Sequence, residues 1–155
     1  MKNKRLTSLL SGVLFIGTAL FLSSCSSSND DIAETNWDIQ QYTVNASEWS
    51  WSTVNRRWEA AKQLKYIDDF IYESGAVIGY VFLGDQNVNE VQVQLPYVKS
   101  YLEDDGSGGT IDFTETIGYE YSYLTNRVTF FIEPSDGFQD VNAKVTYNFR
   151  IVMIW

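Results

Sequence analysis

The chain has 155 residues, 11 basic against 20 acidic, a formal net charge of −9, one cysteine and no histidine. Those counts exclude an internal disulfide, a Cys/His zinc site and every nucleophilic scheme that needs a histidine base. They also argue against a nucleic-acid partner, which demands basic patches.

Met1-Lys2-Asn3-Lys4-Arg5 places three positive charges ahead of an apolar stretch, Leu9 to Leu22, broken only by small residues. Roughly 14 residues fall short of the ~20 a helix needs to cross a bilayer. A basic head before a short apolar core is the pattern of a signal peptide. The stretch closes with Leu22-Ser23-Ser24-Cys25, and Ser26-Ser27-Ser28-Asn29-Asp30-Asp31 follows. Leu22 to Cys25 resembles the lipobox of bacterial lipoproteins. The Ser-rich acidic run after it is similar to the tether of surface lipoproteins in the Bacteroides group. The resemblance implies cleavage before Cys25, lipid on Cys25, and an outer-membrane lipoprotein exposed at the cell surface.

The expected organisation is a signal peptide over 1–24, a disordered tether over 25–35 and a folded domain over 36–155. Ser, Asn and Asp runs bury no apolar area and stay unfolded. Loss of Lys2, Lys4 and Arg5 leaves 8 basic residues against 20 acidic, a net charge of −12. Charge of that sign opposes docking on anionic headgroups, so the membrane partner is reached through lipid. Each buried acyl CH₂ contributes about 0.8 kcal/mol.

In chain order, Trp37 to Val44 reads as a strand, Asn45-Ala46-Ser47 as a turn, and Glu48 to Ser52 as a short alternating segment with Trp49 and Trp51 on one face. The run 56–67 has two readings. Glu59-Ala60-Ala61-Lys62-Gln63-Leu64 is rich in helix formers, while Trp58, Ala60, Leu64 and Tyr66 also alternate as a strand face, with Lys62 out of place. Asp68 to Gly75 reads as about one helical turn, Asp68 as N-cap and Gly75 as a left-handed stop. Ala76 to Leu83 is continuously apolar, as expected of a strand buried on both faces. Gly84 to Asn87 turns into Val88 to Leu95, a hairpin arm with one solvated face. Pro96 ends that arm, and Tyr97 to Leu102 continues as an edge segment. Glu103 to Gly109 is a loop. Strands follow at Ile111 to Glu115, Gly118 to Tyr123, Val128 to Ile132 and Lys144 to Trp155.

About nine short strands and one helical turn predict an all-β, antiparallel β-sandwich, with a small barrel as the rival. Phe70 to Tyr80, Gln94-Leu95-Pro96-Tyr97 and Tyr147 to Val152 resemble segments of small uncharacterised β-rich lipoproteins of the Bacteroides group. That resemblance favours a strand at 56–67. It implies fold and cellular address but no activity.

Candidate sites are few. Trp49, Trp51 and Trp58 suit either a platform for sugar rings or core packing. Tyr119, Tyr121 and Tyr123 share one strand face, to pack on a second sheet or to form a recognition surface. Asp104-Asp105-Gly106-Ser107-Gly108 offers oxygens to Ca²⁺, but it departs from EF-hand spacing and reads better as a solvated turn. Glu115 with Glu120, or Asp68 with Asp69, are the carboxylate pairs a glycoside hydrolase would need. No cofactor is expected. The composition favours a non-enzymatic binding or assembly module whose partner is an envelope protein. A glycan-binding module is the alternative, and a carboxylate hydrolase comes last.

Overall fold

Period-two alternation along the chain builds nine antiparallel strands in a computed structural model that describes residues 34–86, 88–104 and 106–155. The signal segment, Cys25 and the tether through residue 33 lie outside the described residues, as do Asn87 and Asp105. The strands are β1 Trp37–Val44, β2 Ser50–Ser52, β3 Arg57–Gln63, β4 Ala76–Leu83, β5 Val91–Gln94, β6 Tyr97–Asp104, β7 Thr110–Ser122, β8 Arg127–Pro134 and β9 Tyr147–Ile154. One short helix, α1 Asp69–Ser74, precedes β4. Residues Thr35–Trp155 form one compact unit.

The strands make two sheets, ordered β1-β9-β4-β5 and β2-β3-β8-β7-β6. This is the sandwich, with two separate sheets rather than one closed barrel. Phe130 of β8 stacks on Phe149 of β9 with ring centroids 4.0 Å apart and planes 11° from parallel. Around that contact Val44, Val81, Ile151 and Met153 from one sheet meet Ile117, Val128 and Ile132 from the other, all essentially without exposure. Burying such side chains contributes roughly 1.5–3 kcal/mol each before entropy is counted.

The run at 56–67 resolves as a strand. Trp58 and Ala60 are buried while Arg57 and Glu59 face outward, and β3 pairs with β8 from Trp58–Ile132 to Gln63–Arg127. Pairing and burial in the sheet outweigh helix propensity worth only tenths of a kcal/mol per residue. Lys62, the misfit on that face, sits near the strand's end and pairs with Glu48.

Three expectations change. β4 is not buried on both faces: Val81 and Gly79 face the core, but Ile78, Tyr80 and Phe82 lie half-exposed on the sheet's outer side. Segments 111–115 and 118–123 form one 13-residue strand, β7, because Gly118 pairs with Phe131 without interrupting the ladder. Gly75 is not left-handed; its φ is −92°. Its need for glycine is spatial, since an added Cβ would lie 2.7 Å from the carbonyl oxygens of both Ile154 and Ile71. Asp68 is the N-cap as expected, its Oδ1 accepting from the Ile71 N–H at 2.8 Å.

Candidate functional site

The tryptophans serve the core. Trp49 and Trp58 are only 2 % and 4 % exposed, and Trp51 lies edge-on against Trp58 with centroids 5.3 Å apart and planes at 70°. Stacked sugars need open, coplanar faces, so this cluster is no sugar platform. The indole N–H groups act instead as pins. Trp49 Nε1 donates to the Val145 carbonyl and Trp58 Nε1 to the Asp140 carbonyl, both at 2.8 Å. They hold the connection between β8 and β9 against the sheets.

Tyr119, Tyr121 and Tyr123 pack across the sandwich. Tyr119 Oη donates to the Val77 carbonyl at 2.7 Å, and its ring fills the space a Cβ on Gly79 would need. Tyr72 of α1 covers Tyr121 and Tyr123, with centroids 5.8 and 4.9 Å away. The acids are dispersed. Glu115 faces inward while Glu120 lies on the opposite face of β7, ion-paired with Arg57 at 2.9 Å. Asp68 is used as a helix cap, and Asp68 and Asp69 line none of the clefts described below. Asp104 Oδ1 accepts from the Gly106 N–H at 2.8 Å, which makes it a turn residue. No group of three or more metal-ligating side chains gathers among the described residues.

Two surfaces remain that could recognise something. The first is the outer face of the four-stranded sheet. Because Phe149, Ile151 and Met153 of β9 point inward, Asn148, Arg150, Val152 and Ile154 point out. Strand register aligns them in rows: Trp37–Ile154–Ala76, Ile39–Val152–Ile78, Gln41–Arg150–Tyr80 and Thr43–Asn148–Phe82. The first two rows are wholly apolar, and Trp37 is 66 % and Ile39 44 % exposed. The polar rows border a cleft of about 310 Å³ lined by Gln41, Thr43, Phe82, Asn148 and Arg150 among others. Arg150 Nη1 donates to Gln92 Oε1 at 2.6 Å and its guanidinium lies 5.0 Å from the Phe82 ring centroid, yet Nε is buried without a hydrogen-bond partner. An unmet buried donor costs about 1–3 kcal/mol.

The second is a cleft of about 130 Å³ at the β6–β7 edge, closed by the connection that Trp49 and Trp58 pin. Its lining includes Lys99, Tyr101, Phe113, Glu115, Asn142 and Tyr147. Glu115 is the one buried charged side chain among the described residues, 5 % exposed, and its Oε2 accepts from Tyr101 Oη at 2.7 Å. Burial first, and the Glu115 carboxylate second, push the Tyr147 phenol up to about 12. Burial first, and its hydrogen bond to Glu115 second, also raise Tyr101. On the other side of the core, burial and then Asp38 push Tyr42 up to about 12.

These raised phenols carry a prediction. An unfolded tyrosine ionises near pH ~10, so between there and about 12 the unfolded chain holds fewer protons than the native one. Stability is therefore intact below pH ~10 and falls as pH rises through the native values. Tyrosinate absorbance followed alongside circular dichroism should show ionisation of these phenols coinciding with unfolding. Ionisation near pH ~10 with the fold intact would refute their burial.

Comparison with known proteins returned no matching family model, no matching curated protein and no matching solved structure.

Proposed function

We propose that this protein is a lipid-anchored, non-enzymatic binding module of the cell envelope, which docks a partner protein on the outer face of its four-stranded sheet. The observation that carries the reading is the pair of apolar rows from Trp37, Ile39, Ile78, Val152 and Ile154 on the face where β1 begins, with Trp37 and Ile39 exposed and the other three half-buried. Contiguous apolar surface of this kind marks an interaction site. Cys25, the lipid-bearing residue by resemblance to the lipobox, stands twelve residues before Trp37. Fully extended, that stretch spans at most ~40 Å, so an anchored domain works close to the bilayer, at an outer-membrane surface.

Charge selects the occupant. Two copies at −12 repel one another, and an anionic bilayer repels each. The outer face itself carries a cation, Arg150, with its unmet donor and no carboxylate within ion-pair distance among the described residues. The fitting partner is a protein that presents apolar side chains beside a carboxylate, since guanidinium–carboxylate pairing is strong and directional. Ile39→Asp and Arg150→Gln should each abolish or greatly weaken capture of that partner from envelope extracts while leaving the thermal transition nearly unchanged. Undiminished capture by both variants would refute this docking face.

A further inference from the structure

We infer that the cleft around Glu115 is a binding site for a small zwitterion, a ligand with an ammonium and a carboxylate on neighbouring atoms, as in an α-amino acid. The site is separate from the docking face, on the other sheet and against the β8–β9 connection.

Two opposite charges share this cleft without meeting. Lys99 and Glu115 stand directly opposite each other across the β6–β7 ladder. Such partners normally pair. Here Lys99 Nζ lies over the Tyr101 ring, 4.7 Å from its centroid, and beyond ion-pair distance of both Glu115 and Asp140. Tyr101 divides them: its ring face holds the ammonium and its hydroxyl holds the carboxylate. Asp140 is committed elsewhere, its Oδ1 accepting from the Asn142 N–H at 2.8 Å.

A buried carboxylate with a single hydroxyl donor is poorly compensated, and a buried charge calls for a counter-charge. A ligand ammonium placed on Glu115 supplies it. The ligand's own carboxylate then faces Lys99, so both charges of the cleft are answered by one molecule. The remaining lining suits a short side chain: Phe113, Ala143 and Val145 are apolar, and the Tyr147 phenol, uncharged at neutral pH, offers a hydroxyl without repelling either charge. Concave, aromatic-walled sites with a few convergent polar groups are where small ligands bind. The volume, about 130 Å³, admits only a small molecule. Trp49 and Trp58 act here as positioning residues, because they fix the connection that supplies Asn142, Ala143 and Val145.

The test is calorimetric titration of the full-length chain in detergent with glycine, alanine and serine. Ethylamine and acetate serve as half-ligands. Saturable binding of at least one amino acid is expected, at least tenfold tighter than either half-ligand. Glu115→Gln keeps an acceptor for Tyr101 and should weaken binding at least tenfold. Lys99→Gln, at a half-exposed position that leaves the fold intact, should weaken the amino acid while leaving ethylamine unaffected. Absence of saturable binding for all three amino acids would overturn the proposal. So would ethylamine binding as tightly as alanine, or a Lys99→Gln variant that binds the amino acids undiminished.

Discussion

Phe149→Ala is expected to destabilise the protein by about 3–5 kcal/mol, the range for removing a fully buried phenylalanine. Phe149 has no exposed surface, and its ring touches both sheets' contributions to the core: Phe130 stacked at 4.0 Å, Trp49 edge-on at 6.4 Å, and Tyr147 at 6.0 Å. Domains of this size are stable by only ~5–15 kcal/mol, so the loss is about a fifth or more of the total. Urea unfolding monitored by tryptophan fluorescence measures it directly. The Phe130→Ala, Phe149→Ala double variant should cost less than the sum of the singles, because the two rings share one contact worth about 0.5–1.5 kcal/mol beyond burial. Strict additivity would mean the sheets do not meet through this pair.

Trp58→Ala is expected to be of similar size, about 3–5 kcal/mol. Trp58 is buried, edge-packed on Trp51, and donates to the Asp140 carbonyl. Its loss leaves a cavity under the β8–β9 connection and removes one of the two indole pins. Hydrogen exchange at the Asn142 amide, which Asp140 Oδ1 holds at 2.8 Å, should accelerate in the same variant. A sugar platform would behave otherwise: an exposed Trp58 could be removed at almost no cost in stability, with carbohydrate affinity lost instead. Unchanged unfolding of Trp58→Ala would restore that reading against the structure.

Much of the architecture was legible from alternation alone. Tyr147, Phe149, Ile151 and Met153 have no other reason to recur at every second position, although the strand begins at Tyr147 rather than Lys144, and Asp68 announced its cap. What failed were judgements that depend on what lies across the sandwich. The run from Ala76 to Leu83 looks doubly buried because Ile78, Tyr80 and Phe82 are apolar, yet all three stay half-exposed and no described strand or helix packs over them. Helix propensity at 59–64 competed with pairing to β8, a partner some seventy residues away that no local pattern announces. Gly75 looked like a conformational stop, but its constraint is spatial, and one of the two carbonyl oxygens that set it, that of Ile154, comes from the far end of the chain.

The recognition surfaces were only half legible. Glu115 is in phase with Phe113, Ile117 and Tyr119, but that phase is continuous only once 111–115 and 118–123 join as one strand. Its partners Tyr101 and Tyr147 come from β6 and β9, and register, not spacing, brings them together. Likewise Val152 and Ile154 are apolar in the outward phase of β9, and Arg150 shares that phase. The match of these residues to Ile39 and Trp37 became visible only with the pairing of β1 and β9. The early tryptophans needed the tertiary structure to decide between two readings. From composition they suited display or core packing alike; the Trp49 and Trp58 N–H groups are spent on Val145 and Asp140.

The docking claim is tested most directly by photo-crosslinking in living cells, with a photoreactive amino acid placed in turn at Ile39, Val152 and Leu124. Leu124 is 79 % exposed but lies in the turn between β7 and β8, on the five-stranded sheet. The outer-face positions should give one shared adduct with an envelope protein, and Leu124 should not. Adducts at Leu124 alone, or the same adduct from all three positions, would contradict docking on the four-stranded sheet.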